Sequence, residues 1–259
     1  MRVHFSLAEP RHGMEPDSFP RMNFYRRSAF TDQDERLLAA YDQTVRGLLG
    51  ADFAFPVRMR DWELSQVLQA TKGLPREARI LDTGAFNTYL GLFLSRTHPN
   101  VTVSDLLWAR ARKSALRRIR LAPVKPTEIG YWAWHRSMRS HGLAVRNIDL
   151  TRIPAPDASF DCIISLSVLE HIPAIERALA EMYRVLAPGG RLLITTDCSR
   201  EPVPFTRGVR YFSEQELERL FADYPVTSPR NHPDFAEENW CYGGKLPVIT
   251  TFVEITKPR

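Results

Sequence analysis

Three aspartates of this 259-residue chain, Asp82, Asp105 and Asp149, follow short apolar segments. Asp105 comes 23 residues after Asp82, and an acid about 20 residues beyond the first turn of a nucleotide-binding fold accepts hydrogen bonds from ribose hydroxyls. Carboxylates suit a ligand rich in hydroxyl groups, amines or positive charge, and they repel phosphates. The pattern therefore indicates binding of a ribose-containing ligand that is not dominated by a pyrophosphate.

The segment ILDTGAFNTYLG, which contains Asp82, has the form of a nucleotide-binding turn with few glycines. Gly84, with Ala85 beside it, allows the backbone to approach a ligand closely, because glycine has no side chain and adopts left-handed angles. Phe86 stands where a second glycine would be expected, and we expect it to pack under the loop. Asn87 tolerates a left-handed backbone and can offer its amide to a ligand.

Strands and helices alternate in the part of the chain that must position these residues. The apolar runs ARILD, NVTVS, FDCIISLS, RLLITTD and VITTFVEI predict strands, whereas LGLFLSRT, PAIERALAEMYRVL and SEQELERLF have helical spacing. We expect Pro173 near the start of the second helix and Pro188-Gly189-Gly190 to stop it. The alternation predicts an α/β fold with a doubly wound, mostly parallel sheet, which binds ligands beyond the carboxyl ends of its strands.

The N-terminal part has a different character. Residues 1 to about 30 contain scattered prolines and predict an irregular arm. Two helices follow, one capped by Thr31 and one that begins near Arg58. Asp61 and Glu63 on the second of these helices either border the ligand pocket or lie on a solvated helix face.

The composition, with 44% hydrophobic and 25% charged residues, is that of an ordinary soluble protein. The N-terminal segment lacks the apolar core of a signal peptide, and no uncharged apolar run approaches the roughly 18 residues of a membrane span. Cys162, Cys198 and Cys241 are scattered and fit no metal or disulfide spacing. We therefore expect a cytoplasmic protein with no transmembrane segment and no metal site.

Positive charge is concentrated between Leu106 and Arg146, where ten basic residues accompany a single acid, Glu128. The rest of the chain has 25 basic and 29 acidic residues, so the net charge of +5 belongs to this segment. Its length predicts an insertion of helical pieces at about 107–146. The alternatives for its role are binding of a phosphate-bearing acceptor, docking on an anionic membrane with a lipid-linked acceptor, RNA binding, and a solvated face.

The stretch IDLTRIPAPDASFDCIISLSVLEHIPAIERALAEMYRVLAPGGRLLITTD, which begins at Ile148, resembles the central half of a class I S-adenosylmethionine (SAM)-dependent methyltransferase. The resemblance runs less clearly from about Arg79 to the C-terminus, and it covers neither the first 75 or so residues nor the basic segment. It implies a seven-stranded sheet of the class I type and a SAM-binding domain at residues 76–259. We expect residues 1–75 to form an N-terminal arm and helices that cap the active site.

The same resemblance implies roles for individual residues. Asp82 and Gly84 correspond to the loop that holds the methionine part of SAM, and Asp105 to the acid that binds the ribose. Asp149 corresponds to the acid that reads the adenine edge, and Ser167 lies where the fourth strand meets the methionine part. The positions implied to bind SAM are Asp82, Gly84, Ala85, Asn87, Asp105, Leu106, Asp149, Leu150 and Ser167.

His171, in SVLEHI, is the candidate catalytic base, since imidazole titrates near neutral pH and can take a hydroxyl proton. Its alternative role is to cap the next helix or line the pocket. We expect O-methylation of a hydroxyl on a sugar, glycan or related small molecule. The alternatives are an RNA methyltransferase that uses the basic insertion and a catalytically inactive SAM-fold protein that binds a partner. Further acceptor contacts are expected from His232, Asn239, Trp240 and Tyr242.

Overall fold

The fold is taken from a computed structural model, which describes residues 20–53, 61–86, 88–106, 126–206, 208–241 and 247–259. Its strands are β1 Asn23–Phe24, β2 Ile80–Thr83, β3 Val101–Ser104, β4 Ala144–Arg146, β5 Phe160–Leu166, β6 Leu186–Ser199, β7 Val203–Thr206, β8 Val209–Tyr211 and β9 Val248–Thr256. Its α-helices are α1 Asp32–Leu49, α2 Asp61–Thr71, α3 Leu90–Leu94, α4 Pro126–Ser140, α5 Ile175–Val185 and α6 Glu214–Phe221.

Seven of these strands form one sheet in the order β1-β9-β6-β5-β2-β3-β4. The five strands from β6 to β4 in that order are parallel to one another, and β9 is antiparallel to β6. β7 and β8 form a separate hairpin. The prediction of a doubly wound, mostly parallel, seven-stranded sheet is confirmed.

One edge of the sheet comes from the part of the chain that the sequence assigned to an irregular arm. Asn23 and Phe24 pair antiparallel with Phe252 and Thr251 of β9. The side chain of Asn231 accepts a hydrogen bond from the Phe24 amide and donates one to its carbonyl. The expectation of an irregular arm is wrong at these two residues, because a pair of residues is too short to show strand periodicity.

The sheet separates two apolar cores. Adjacent residues of β5 illustrate this, since Ile163 packs into the core on the α5 and α6 side and Ile164 into the core on the side of α1 to α4. Both are fully buried. A parallel strand covered on both faces has no solvent-facing positions, which explains the uninterrupted apolar run of FDCIISLS.

The helix boundaries follow the expected capping signals at most ends. Thr31 and Ser213 each form a reciprocal capping box with the acid three residues later. The helix α5 begins at Ile175, after Pro173, and ends at Val185. The expectation that Pro188-Gly189-Gly190 stops this helix is wrong, because the chain is already extended at Leu186, which pairs with Phe160 of β5.

The described part of the basic insertion is largely the helix α4. Tyr131, Trp134 and Met138 lie at helical spacing on one side of it, and all three are buried in the core beside α3. This side of the insertion is therefore part of the fold, while Trp132 remains 40% exposed. The arginine-rich stretch at 107–125 lies outside the described residues. No helix in the described ranges is long and apolar enough to cross a membrane.

Candidate cofactor site

The ends of three neighbouring parallel strands bring the first candidate residues together. Thr83, the last residue of β2, pairs with Ser104 of β3 and with Ser165 of β5. Gly84 and Asp105 therefore leave the sheet at the same level, and Ser167 leaves it one residue beyond the end of β5. This is the carboxyl edge at which ligands bind in a parallel sheet.

The turn after β2 is held to its neighbours by backbone contacts. Gly84 has a φ of +59°, a left-handed angle that glycine adopts without strain. The Ala85 amide donates to the Ser104 carbonyl at 2.9 Å. The Phe86 amide donates to Asp105 Oδ2 at 3.3 Å. The acid expected to bind the ribose thus also fixes the turn expected to bind the methionine part.

The glycine-poor turn is supported by aromatic residues. The Phe86 ring packs against Tyr131 and Trp134 of α4, with centroid distances of 5.7 and 5.9 Å. The Tyr41 hydroxyl on α1 donates a hydrogen bond to the Thr88 carbonyl. Phe86 was expected to pack under the loop, and in the structure it packs against α4. Asn87 lies outside the described residues.

Gly91 is a functional glycine that the sequence analysis missed. A Cβ at this position would lie 2.2 Å from Val103 Cγ1, so only glycine lets the start of α3 approach β3 so closely. The Gly91 amide donates to Asp82 Oδ2 at 3.0 Å. The signal was present in the sequence, because a glycine seven residues after Gly84 opens a predicted helix.

Asp82 lies beneath the turn and is only 1% exposed. Its Oδ1 has no hydrogen-bond partner among the described residues. Burial raises the pKa of this carboxyl to about 7; the hydrogen bond from Gly91 opposes the rise, and the charge of Asp105 adds to it. Asp82 is therefore a buried carboxyl group behind the turn, and this carboxyl changes its protonation near neutral pH.

The raised pKa of Asp82 predicts a specific dependence of stability on pH. Between about 4 and about 7 the folded chain holds a proton that the unfolded chain has released, so the free energy of unfolding falls as pH rises through this window. Each pKa unit corresponds to about 1.4 kcal/mol. Asp82→Asn keeps an acceptor for the Gly91 amide and should remove most of this fall. Urea unfolding of the wild type and of Asp82→Asn at about pH 5 and about pH 8 measures this fall in the free energy of unfolding. An equal fall in both proteins would contradict the prediction.

Glu63 is not on a solvated helix face, and that alternative is wrong for this residue. It is fully buried, because α2 packs against the sheet. Its Oε2 accepts hydrogen bonds from Ser167 Oγ at 2.6 Å and from Thr195 Oγ1. Its Oε1 accepts one from Thr250 Oγ1 at 3.2 Å. Glu63 therefore joins α2 to the turn after β5 and to the strands β6 and β9.

Ser167 occupies an unusual backbone conformation. Its φ is +53°, which is rare for a residue with a side chain. Its amide donates to the carbonyl and the hydroxyl of Thr195, at 3.1 and 3.0 Å. The next residue, Val168, packs on Gly84: a Cβ added to Gly84 would lie 2.3 Å from Val168 Cγ2. The turns after β2 and β5 are therefore in direct contact.

The remaining candidate positions lie farther along the edge. Asp149 follows β4, and its Oδ1 accepts hydrogen bonds from the amide and hydroxyl of Thr151 at 2.9 and 2.7 Å. Leu150 is buried in the core on the α5 side. Leu106, directly after Asp105, is 43% exposed. The adenine-binding role of Asp149 and Leu150 stays a prediction, as does the role of Leu106.

His171 lies on a short 3-10 helix, Leu169–His171, which follows the turn at Ser167. Its ring is exposed, and Nδ1 lies 2.8 Å from the carbonyl oxygen of Gly208 in the β7–β8 hairpin. A carbonyl only accepts hydrogen bonds, so Nδ1 carries the proton and Nε2 of the neutral ring keeps its lone pair. This tautomer leaves Nε2 able to accept a proton.

In the loop before β9, residues that were expected to contact the methyl acceptor have their polar groups bound to other parts of the protein. Asn239 Oδ1 accepts the Arg27 amide at 2.8 Å, and the Trp240 indole donates to the Phe235 carbonyl at 3.0 Å. His232 pairs with Glu214. Tyr242 is outside the described ranges. Across the described residues there is no group of three or more His, Cys, Asp or Glu side chains placed to hold a metal ion.

Sequence comparison identifies the domain type. Residues 108–194 match the methyltransferase domain family. The ubiquinone/menaquinone biosynthesis C-methyltransferase UbiE of Citrobacter koseri is 37% identical over 91 residues, which cover 32% of this chain and 36% of that protein. The match thus spans about a third of the length of this curated relative.

Structure comparison extends the similarity to the whole fold. The Burkholderia thailandensis 1,6-didemethyltoxoflavin-N1-methyltransferase, solved with S-adenosylhomocysteine (SAH) and 1,6-didemethyltoxoflavin, superposes with a TM-score of 0.52 at 22% identity. The match covers 92% of this chain and 95% of that one. The (4+2)-cyclase SpnF gives a TM-score of 0.54 at 17% identity, over 87% of this chain and 97% of that one. At these identities the likeness shows a shared fold.

Proposed function

We propose that this chain is a class I SAM-dependent methyltransferase that transfers a methyl group from SAM to a small molecule, a proposal supported by its domain match and its fold. The observation that carries the proposal is the convergence of Gly84, Asp105 and Ser167 at the carboxyl ends of β2, β3 and β5. Calorimetry with SAM and SAH is the first test, and absence of binding at high micromolar ligand would overturn the proposal.

The chemistry of these residues fits SAM. SAM carries a positively charged sulfonium and an ammonium group but no phosphate, and it supplies an electrophilic methyl group when it is bound. The carboxylate of Asp105 suits its ribose hydroxyls, and the Gly84 turn allows the backbone to approach its methionine part. Oδ1 of Asp82 has no hydrogen-bond partner in the part of the chain that the structure describes, so it suits an amine or a water molecule brought by that end of the ligand.

The chain's own residues have a limited task in such a reaction. Methyl transfer from a sulfonium needs an acceptor held in line with the methyl group and shielded from water. The turn at Gly84 and the turn at Ser167 orient the two sides of the site, since Val168 joins them by packing. We assign His171 Nε2 the role of taking the proton that an acceptor hydroxyl releases.

For the acceptor we propose a hydroxyl on a sugar, a glycan or a related small molecule that also bears an apolar group. The hairpin that holds His171 presents Val203 and Phe205, each 40% exposed, and such exposed apolar side chains suit an apolar part of an acceptor. The curated relative is named as a C-methyltransferase, so the assay should include phenolic acceptors beside glycosides. NMR of the product distinguishes a methyl group on oxygen from one on carbon.

Substitution of His171 by asparagine tests the base assignment. Asparagine can keep the hydrogen bond to the Gly208 carbonyl but offers no basic nitrogen, so the hairpin contact stays while the proton acceptor is lost. We expect kcat to fall by about 100-fold or more with an O-linked acceptor, and the SAH affinity to stay close to that of the wild type. Full turnover by the variant would contradict the role of His171 as the base.

Two other functions make different predictions. An RNA methyltransferase that uses the basic insertion would bind RNA with a steep dependence on salt, and binding that is absent or insensitive to salt removes it. A SAM-fold protein without methyl transfer would bind SAH and yield no methylated product with any acceptor.

The proposed domain division, with residues 1–75 capping the site, predicts that removing these residues abolishes SAH binding or turnover.

A further inference from the structure

Glu63, which the sequence left as either a residue at the border of the pocket or one on a solvated helix face, holds Ser167, a residue implied to bind SAM. Its carboxylate accepts hydrogen bonds from a hydroxyl in the turn after β5, from one on β6 and from one on β9. A carboxylate only accepts hydrogen bonds, so it suits three donors that point at it from different segments. An amide of the same size would present its N–H group to at least one of these hydroxyls.

The turn that Glu63 contacts is the one that needs support. Ser167 has a φ of +53°, and residues with a Cβ enter this region only where the surrounding structure holds them there. Its backbone is held by Thr195, and its side chain is held by Glu63 at 2.6 Å. Glu63 also accepts a hydrogen bond from the hydroxyl of Thr195, so it contacts both the turn and the β6 residue that holds the backbone of the turn.

We propose that Glu63 is a positioning residue of the SAM site, which holds Ser167 in its left-handed turn and thereby holds Val168 against Gly84. The inference rests on the proposed function, since it concerns affinity for SAM and SAH. It makes the helix α2 a structural part of the cofactor site, although α2 precedes the first strand of the parallel sheet. The residue acts through Ser167 and does not itself have to touch the ligand.

A double-mutant cycle with SAH calorimetry tests this role. Glycine adopts left-handed angles without help, so the turn in Ser167→Gly no longer depends on Glu63. We expect Glu63→Gln to weaken SAH binding by about tenfold in the wild-type background and by less than about twofold in the Ser167→Gly background. A ratio of about fivefold or more between the two effects supports the proposal, and a smaller ratio overturns it.

A second pair of variants decides the question if Glu63→Gln does not fold. Ser167→Ala keeps the strained angle without the hydroxyl, whereas Ser167→Gly relieves the strain. The alanine variant should bind SAH at least about fivefold more weakly than the glycine variant, and equal affinities would overturn the proposal. If the wild-type chain itself does not bind SAH, the proposed function fails and this inference fails with it, which is distinct from either result above.

Glu254→Gln is the matched control for Glu63→Gln. Glu254 lies on β9 and pairs with Arg191 of β6 at 2.7 Å, at the opposite end of the same two strands. Its substitution removes a largely buried carboxylate from the sheet without touching the carboxyl edge. It should lower the melting temperature and leave SAH affinity unchanged, so that a loss of affinity in Glu63→Gln reports on the site and not on stability.

Discussion

Replacement of Asp105 by alanine is expected to weaken SAH binding by about 100-fold or more. A hydrogen bond to a charged group contributes about 1.5–3 kcal/mol, and a carboxylate that accepts both ribose hydroxyls makes two of them. Asp105 also accepts the Phe86 amide at 3.3 Å. The alanine variant would therefore lose the proposed contact with the ribose and one support of the Gly84 turn together, and calorimetry with SAH measures the combined effect.

The effect must be separated from a general effect of removing a carboxylate. Asp157→Ala is a suitable control, because Asp157 is 79% exposed and pairs with Arg184 in the loop before β5, away from the carboxyl edge. It should bind SAH as the wild type does. If Asp105→Ala changed the affinity by less than about threefold, the ribose would have to be placed elsewhere along the edge, and the assignment of the site would be wrong.

The parts of this fold that the sequence predicted are those where local pattern and tertiary structure agree. The run FDCIISLS is apolar throughout because β5 is covered on both faces, and Thr31 and Ser213 cap helices through contacts three residues away. The acids near strand ends were also predictable: Asp82 lies near the end of β2, and Asp105 directly follows β3, which pairs with β2. In each case the sequence pattern that reveals the feature is confined to a few neighbouring residues.

What the sequence did not predict depends on contacts between distant segments. The sequence could not decide whether Glu63 borders the pocket or lies on a solvated helix face, because the hydroxyls that donate to its buried carboxylate are 104, 132 and 187 residues away. The edge strand β1 exists because β9, at the far end of the chain, offers it a partner. The extended backbone at Leu186 similarly depends on Phe160. No local pattern carries this information, so such contacts have to be read from the structure.

The glycine-poor turn gives the second large expected effect, through the one glycine that it retains at its start. Gly84→Ala should lower the free energy of unfolding by about 2–5 kcal/mol, because a left-handed φ costs alanine about 1–2 kcal/mol and overpacking costs about 1–3 kcal/mol more. The new Cβ would lie 2.3 Å from Val168 Cγ2, and valine has little rotamer freedom with which to move away. Urea unfolding measures this loss.

Two further variants show whether the clash with Val168 is the cause. Gly73→Ala is the control, because a Cβ there meets nothing within 4 Å, and it should be neutral or slightly stabilising. Combining Gly84→Ala with Val168→Ala removes the branched side chain and should recover at least about 1 kcal/mol relative to the sum of the single changes. Strict additivity would mean that backbone strain alone penalises the substitution. Coupling instead would mean that the turns at Gly84 and Ser167 pack as one unit.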